Sequence, residues 1–147
     1  KLAQQKGYQQ VIWTDGATHS FLEESGTMNL MFIIDGALVT APTGDTILDG
    51  VTRKSVLQVA KDWGMDVQER LLSVEELVKG IESGKVQEAF GAGTAAVIAP
   101  IQTIGYNGKD YDLPERKPDG FSAKVYQEIN DIRLGKKTDT RNWIWKA

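Results

Sequence analysis

Cysteine is absent from the 147-residue sequence, and histidine occurs once, at His19. The absence of cysteine excludes disulfide bonds, thiolate metal ligands and a cysteine nucleophile. A single histidine also excludes a metal site built from several imidazoles. A lone histidine near the end of a strand is usually structural or solvated, so no catalytic role is expected for His19.

Long apolar runs are also missing. The run Leu30–Ile34, which no other apolar run exceeds, has the length of a strand, whereas a membrane span needs about 18 residues. The formal net charge is -3, and no basic stretch is interleaved with aromatic residues. Neither a membrane nor a nucleic acid is therefore an expected partner. Without cysteine or a signal-peptide pattern, the sequence predicts a cytoplasmic protein.

What remains is a globular composition, with 41% apolar and 25% charged residues. An Asp-Gly pair and a Tyr-Asn-Gly-Lys segment each separate two extended runs, which predicts β-hairpins at Asp35-Gly36 and Asn107-Gly108. The run Thr27–Ile34 alternates little, so it is predicted to be a strand buried on both faces. A strand is also predicted over Val67–Leu72.

Helical segments are predicted at four places: one ends at Gly7, and the others begin after Gly50, at Ser73 and at Phe121. The segment at Ser73 opens with the capping-box pattern Ser-x-x-Glu. Strands and helices follow one another in mixed order, with a hairpin among them. The pattern therefore indicates an α+β or mixed α/β fold rather than a simple doubly wound sheet.

One candidate for chemistry is the acidic pair Glu23 and Glu24, at the entrance of the predicted buried strand. Burying a carboxylate is costly unless a cation or a hydrogen-bond donor meets it. A carboxylate at this place could pair with a protonated ring nitrogen. The pattern alone favours the simpler alternative, an exposed strand end with solvated charges.

Two further segments could bind an anion. At Gly50-Val51-Thr52, a glycine and a hydroxyl residue open a predicted helix, where free backbone N–H groups and the helix dipole favour negative charge. Residues 91–96, GAGTAA, are small enough to let backbone amides approach a ligand. The alternatives are a local helix cap from Asp49 or Thr52, and a bulge or tight turn at residues 91–96.

Three motifs in order, ESGTMNL at 24–30, LDGVTR at 48–53 and GAGTAA at 91–96, resemble the branched-chain aminotransferases. The likeness extends over essentially the whole chain. It implies the C-terminal domain of the fold type IV aminotransferase (D-amino-acid aminotransferase-like) fold, with a mixed or barrel-like sheet and flanking helices. Residues 1–147 would form most of that one domain, truncated on its N-terminal side.

The resemblance also implies pyridoxal 5'-phosphate as cofactor and a set of site residues. Glu24 would meet the pyridine nitrogen, while Val51, Thr52 and Thr94 would hold the phosphate. The substrate would lie near Thr27, Thr94 and Ala95. Gly26 and Gly93 would leave room by lacking a side chain.

The family's Schiff-base lysine lies in a Lys-x-x-Gly-Asn-Tyr motif, and no such motif occurs here. The resemblance places that lysine upstream of Lys1, so no catalytic residue is expected within these residues. The N-terminal domain of the family is also missing, and Asp49 stands where many members have proline.

The function implied is amino-group transfer from leucine, isoleucine or valine to 2-oxoglutarate, by an enzyme that is a homodimer at full length. Small amino acids and 2-oxo acids would be the ligands, and this piece alone would be inactive. The alternatives are a D-amino-acid aminotransferase or aminodeoxychorismate lyase of the same fold, which Thr27-Met28-Asn29 disfavours, and a non-catalytic binding domain.

Overall fold

The computed structural model describes residues 2–145. Its helices are α1 Leu2–Gln5, α2 Val51–Asp62, α3 Val74–Glu82 and α4 Phe121–Arg133. Its strands are β1 Ile12–Thr14, β2 Leu22–Ser25, β3 Met28–Ile34, β4 Ala37–Thr40, β5 Val67–Glu69, β6 Val86–Gly93, β7 Val97–Ile101, β8 Thr103–Tyr106 and β9 Lys109–Asp112. No helix within the described range is long and apolar enough to cross a membrane.

A mixed seven-stranded sheet forms the centre of the fold. Strands β1 to β5 follow one another in order, and β6 pairs with both β3 and β7. The pair β4–β5 is parallel, and every other pair in the sheet is antiparallel. Strands β8 and β9 form a separate hairpin. The predicted mixed α/β architecture is confirmed.

Strand β3 has three partners. On one edge it pairs with β6 from Asn29 to Ile34. Strands β2 and β4 must share its other edge, because β2 pairs with Met28 and Asn29 while β4 pairs with Met31 to Ile34. The sheet therefore divides beside residues 29–31, where the loop that precedes α2 returns to it.

Apolar clusters cover both faces of the sheet. The first joins one face to α2 and α4 through Met31, Ile33, Leu38, Val56, Leu57, Val59, Ala60, Phe90, Ala92, Val97, Ile98, Phe121 and Val125. The second joins the other face to α3 through Leu22, Leu30, Phe32, Leu72, Leu77, Val86, Ala89 and Leu113. Alternate residues of β3 enter different clusters, so the prediction of a strand buried on both faces is confirmed.

The predicted turns form with the expected backbone. Asp35 and Gly36 have φ angles of 48° and 78°, and Asn107 and Gly108 have 49° and 76°. Both central residues of each turn are thus left-handed, as the tight hairpin turns of twisted strands require. Gly7 ends α1 with φ 86°, although Lys1 lies outside the described residues.

Three local predictions need correction. The strand predicted over Val67–Leu72 stops at Glu69, because β5 pairs only with the short strand β4. Strand β6 continues through Gly91 to Gly93, so the candidate loop is reduced to the turn at residues 94–96. Only half of the predicted capping box forms: Ser73 accepts from the Glu76 N–H, but the Glu76 carboxylate pairs with Arg70.

The C-terminal segment is held against two helices by Arg141. Its guanidinium donates to Asp62 of α2 at 2.7 Å and to Glu128 of α4 at 3.1 Å. Lys137 also donates to Glu128. Burial raises the pKa of Glu128, but the hydrogen bonds from Lys137 and Arg141 outweigh that effect, and its pKa is lowered overall.

Candidate functional site

Glu24 lies in β2 and faces the loop that leads into α2. Its Oε1 accepts hydrogen bonds from the Leu48 backbone N–H at 2.9 Å and from the Asn29 amide at 3.3 Å. Within residues 2–145, Oε2 has no hydrogen-bond partner, so one oxygen is free to meet a ligand. The carboxylate borders a cleft of about 530 Å³, which is lined by Glu24 and residues 43–49.

Glu23 has a different environment. Its carboxylate accepts a hydrogen bond from the Thr46 hydroxyl at 2.8 Å. Among the described residues it does not line the cleft that Glu24 borders. Adjacent residues of a strand point to opposite faces, which separates the two acidic side chains. The structure thus distinguishes two carboxylates that the sequence pattern left equivalent.

The N-terminus of α2 is open. Its N-cap residue, Gly50, makes no side-chain capping bond, and in the described part of the chain the N–H groups of Val51 and Thr52 have no acceptor. The alternative of a local cap from Asp49 or Thr52 is therefore wrong. Val51 is exposed and Thr52 is half-buried, so amides and hydroxyl can reach a ligand from outside.

In the other two long helices, side chains of this chain accept hydrogen bonds from N–H groups of the first turn. Ser73 caps α3. At α4, both oxygens of Glu88 accept from the Phe121 and Ser122 N–H groups, at 2.7 and 2.8 Å. A carboxylate of the chain thus occupies the anion position of α4, whereas the equivalent position of α2 has no anion from residues 2–145.

Asp49 does not leave an unbalanced negative charge beside α2. It lies 2.8 Å from Lys54 Nζ and 3.7 Å from Arg53 Nη1. Arg53 is only 2% exposed and donates to the Ala41 carbonyl at 3.0 Å and to Glu69 at 2.8 Å. These contacts tie the first turn of α2 to the end of β4 and to β5.

The motifs at 24–30 and 91–96 lie on neighbouring strands, while the motif at 48–53 forms the loop and first turn of α2. Glu24 of β2 is in register with Asn29 of β3, and Asn29 is in register with Ala92 of β6. Paired strands lie about 4.8 Å apart, so this row spans only the width of three strands. The exposed turn containing Thr94 and Ala95 follows directly after β6.

Thr27 lies next to that turn. It is exposed between β2 and β3, and a Cβ built on Gly93 would be 3.7 Å from its carbonyl oxygen. After the turn, Val97 and Ile98 join the same apolar cluster as Val56 of α2. The structure thus brings the Thr27, Thr94 and Ala95 segments to the end of the sheet that carries Glu24.

Two glycines leave room for neighbouring side chains. A Cβ on Gly93 would be 3.0 Å from the Met28 side chain, and one on Gly26 would be 2.7 Å from Gln10 Oε1. The space left by these glycines is next to side chains of this chain, Met28 and Gln10. Gly26 also has φ 58°, which favours glycine at the turn.

Asn29 is a buried residue of the candidate site that the sequence motifs did not indicate. Its amide connects Glu24 to the Leu48 carbonyl, which precedes the open end of α2. The sequence does contain a signal for it, because Asn29 is a polar residue inside an apolar strand. Buried polar groups are rare unless they are hydrogen-bonded, so such a residue indicates a specific partner.

The arrangement therefore combines a carboxylate with one free oxygen, an open helix N-terminus and a turn of small residues. A carboxylate can pair with a protonated nitrogen, and a helix N-terminus with a phosphate. Such a pair of contacts is suited to a ligand with a cationic ring at one end and an anion at the other.

Comparison with known proteins identifies the family of the chain. The family model for class IV aminotransferases matches residues 1–104, which include all three motifs. The chain belongs to the class IV aminotransferase family.

A probable branched-chain-amino-acid aminotransferase of Staphylococcus epidermidis is 40% identical over 141 residues, covering 96% of this chain and 39% of that protein. The chain thus spans about two fifths of the length of this relative.

Two solved structures show the same fold. The branched-chain amino acid aminotransferase of Escherichia coli superposes with a TM-score of 0.79 at 28% identity, over 99% of this chain and 45% of that one. The enzyme of Thermobaculum terrenum in its PLP form also gives 0.79, at 24% identity, over 97% of this chain and 43% of that one. The second comparison bears on the fold alone.

Proposed function

We propose that this chain is the cofactor-binding part of a branched-chain amino-acid aminotransferase. The observation that carries the proposal is the juxtaposition of the Glu24 carboxylate and the open N-terminus of α2, joined through Asn29 and Leu48. The relatives from Staphylococcus epidermidis and Escherichia coli are branched-chain aminotransferases by name. The substrates would be leucine, isoleucine or valine and 2-oxoglutarate.

The residues present fit pyridoxal 5'-phosphate. Its ring nitrogen needs an anionic partner, and Glu24 has one oxygen without a partner among residues 2–145. Its phosphate needs donors, and the Val51 and Thr52 amides have no acceptor in that range. When bound, the cofactor supplies an electron-accepting ring that stabilises negative charge at the substrate's Cα.

Each residue of the site would have a distinct task. Glu24 would hold a proton on the ring nitrogen, while Val51 and Thr52 would bind the phosphate through amides and hydroxyl, with a further contact from Thr94. The substrate carboxylate would meet the backbone amides of Thr94 and Ala95. Thr27, at the adjoining turn, would place its hydroxyl near the substrate.

The remaining parts of the enzyme would come from outside these residues. This chain covers about 39% of the relative from Staphylococcus epidermidis. The rest of an enzyme of that length would hold a further domain and the lysine that links to the cofactor and moves the proton. We propose a homodimer for the full-length enzyme, residues 1–147 as most of its C-terminal domain, and a cytoplasmic location.

The full-length protein should be assayed for glutamate formation from 2-oxoglutarate with leucine and, in parallel, with D-alanine. Turnover with leucine alone supports the proposal. Turnover with D-alanine alone would replace it by the D-amino-acid alternative, and cofactor binding without any turnover would favour a non-catalytic binding domain.

A further inference from the structure

Asn29 contacts both halves of the candidate site. It is 5% exposed, and its amide donates to the Leu48 carbonyl at 2.8 Å and to Glu24 Oε1 at 3.3 Å. Its own carbonyl oxygen faces Gly50, where an added Cβ would lie 2.7 Å from Oδ1. One buried side chain therefore touches the carboxylate, the incoming loop and the N-cap of α2.

The chemistry of these contacts requires an amide. Two acceptors, one of them charged, converge on the two hydrogens of Nδ2. An aspartate would oppose both acceptors with a third, and an aliphatic side chain would release Glu24 to a single restraint from the Leu48 N–H. Asn29 is thus suited to fix which Glu24 oxygen remains free.

We propose that Asn29 is a positioning residue, which holds the Glu24 carboxylate and the turn before α2 in one fixed arrangement. The inference rests on the proposed function, because it takes Glu24 as the ring-nitrogen partner and α2 as the phosphate site. A rigid ligand must meet both at once. Without the restraint from Asn29, Glu24 therefore loses its contact with the ring nitrogen, whereas α2 keeps its contacts with the phosphate.

The test is a comparison of two probes in the full-length protein. Dissociation constants are measured for pyridoxamine 5'-phosphate and for its analogue with CH in place of the ring nitrogen. The ratio of the analogue's dissociation constant to that of pyridoxamine 5'-phosphate reports the contact with Glu24. It cancels changes at the phosphate or in overall stability, which affect both probes alike. Asn29→Leu is expected to reduce this ratio about 10- to 100-fold, the effect of losing one hydrogen bond to a charged group.

Thr40→Val is the matched control. Thr40 is 2% exposed, and its hydroxyl donates to the Leu30 carbonyl at 2.6 Å, which is also a buried side-chain bond beside β3. It does not contact Glu24. This variant is expected to lose stability and to leave the ratio of the two dissociation constants unchanged.

A second variant reaches Asn29 without altering it, in case Asn29→Leu does not fold. Gly50 has φ -65° and ψ 142°, which alanine adopts readily, so the obstacle to Gly50→Ala is the Asn29 oxygen. The substitution is expected to displace Asn29 and to lower the ratio. Gly16→Ala is its control, since an added Cβ there meets nothing within 4 Å.

The outcomes separate this inference from the proposed function. If the wild-type protein distinguishes the two probes but the folded variants at residues 29 and 50 keep its ratio, the positioning role is wrong and the proposed function stands. If the wild-type protein binds neither probe, or both equally, the role of Glu24 fails and the inference fails with it.

Discussion

Replacing Glu24 by glutamine should separate function from folding. The glutamine oxygen can still accept from the Leu48 N–H, which lies 2.9 Å from the carboxylate. The Asn29 amide, 3.3 Å away, can also still donate to this oxygen. The fold loses only the negative charge of the acceptor in these two bonds, at most about 1 kcal/mol each, the difference between typical neutral and charged hydrogen bonds. Urea unfolding should therefore show a small change in the free energy of unfolding.

The effect on turnover should be much larger. An opposite charge at close range shifts a pKa by about 1–3 units. Without the Glu24 charge, the pKa of the ring nitrogen would fall by about 1–3 units, and the protonated fraction of the ring would fall with it. Turnover of leucine with 2-oxoglutarate by the full-length protein should fall about 10- to 1,000-fold, at about 1.4 kcal/mol for each decade.

Glu23→Gln is the matched control, because Glu23 contacts Thr46 and does not line the cleft within the described residues. Its turnover should stay near that of the wild-type protein. Activity retained in Glu24→Gln and lost in Glu23→Gln would refute the assignment and make Glu23 the ring partner.

Three further outcomes are expected. Thr52→Val in the full-length protein should raise the dissociation constant of pyridoxamine 5'-phosphate about 10- to 100-fold by calorimetry, and no change would mean that the open end of α2 binds no phosphate. The 147-residue chain, mixed with leucine, 2-oxoglutarate and pyridoxal 5'-phosphate, should form no glutamate; enzyme-level turnover would show that the lysine function is present in it. Glu128→Gln should lower the free energy of unfolding by about 1.5–3 kcal/mol at pH 7 through its bond from Arg141.

The pH dependence of the last effect follows from the sign of the shift. The pKa of Glu128 is lowered in the folded chain from an ordinary 4.5. The unfolded chain therefore binds the proton first as the pH falls. The stability that the carboxylate adds is complete above about pH 4.5 and is lost as the pH falls through the folded-state pKa. The wild-type chain and Glu128→Gln should converge in acid, and a constant difference would contradict the ion-pair explanation.

Local chemistry in the sequence determined much of this protein. The hairpin turns follow from Asp-Gly and Asn-Gly pairs, because these residues tolerate left-handed backbone. The start of α3 follows from Ser73, and the C-terminal ends of the helices follow from the glycines at positions 7, 64, 84 and 135, which have positive φ. The family likeness follows from three motifs, and the matched region includes all of them. Each of these features depends on residues close together in the chain.

The tertiary structure alone decided which of these residues come together at the candidate site. Glu88 caps α4 from 33 residues away, while α2 has no cap within residues 2–145. Arg53 and Asn29 find their acceptors on other elements. Periodicity identifies the buried face of an element but not the partner opposite it, and hydrogen bonding there depends on how distant segments meet. The difference between Glu23 and Glu24 arises in this way, since the loop that returns after β4 reaches one carboxylate through Thr46 and the other through the Leu48 N–H.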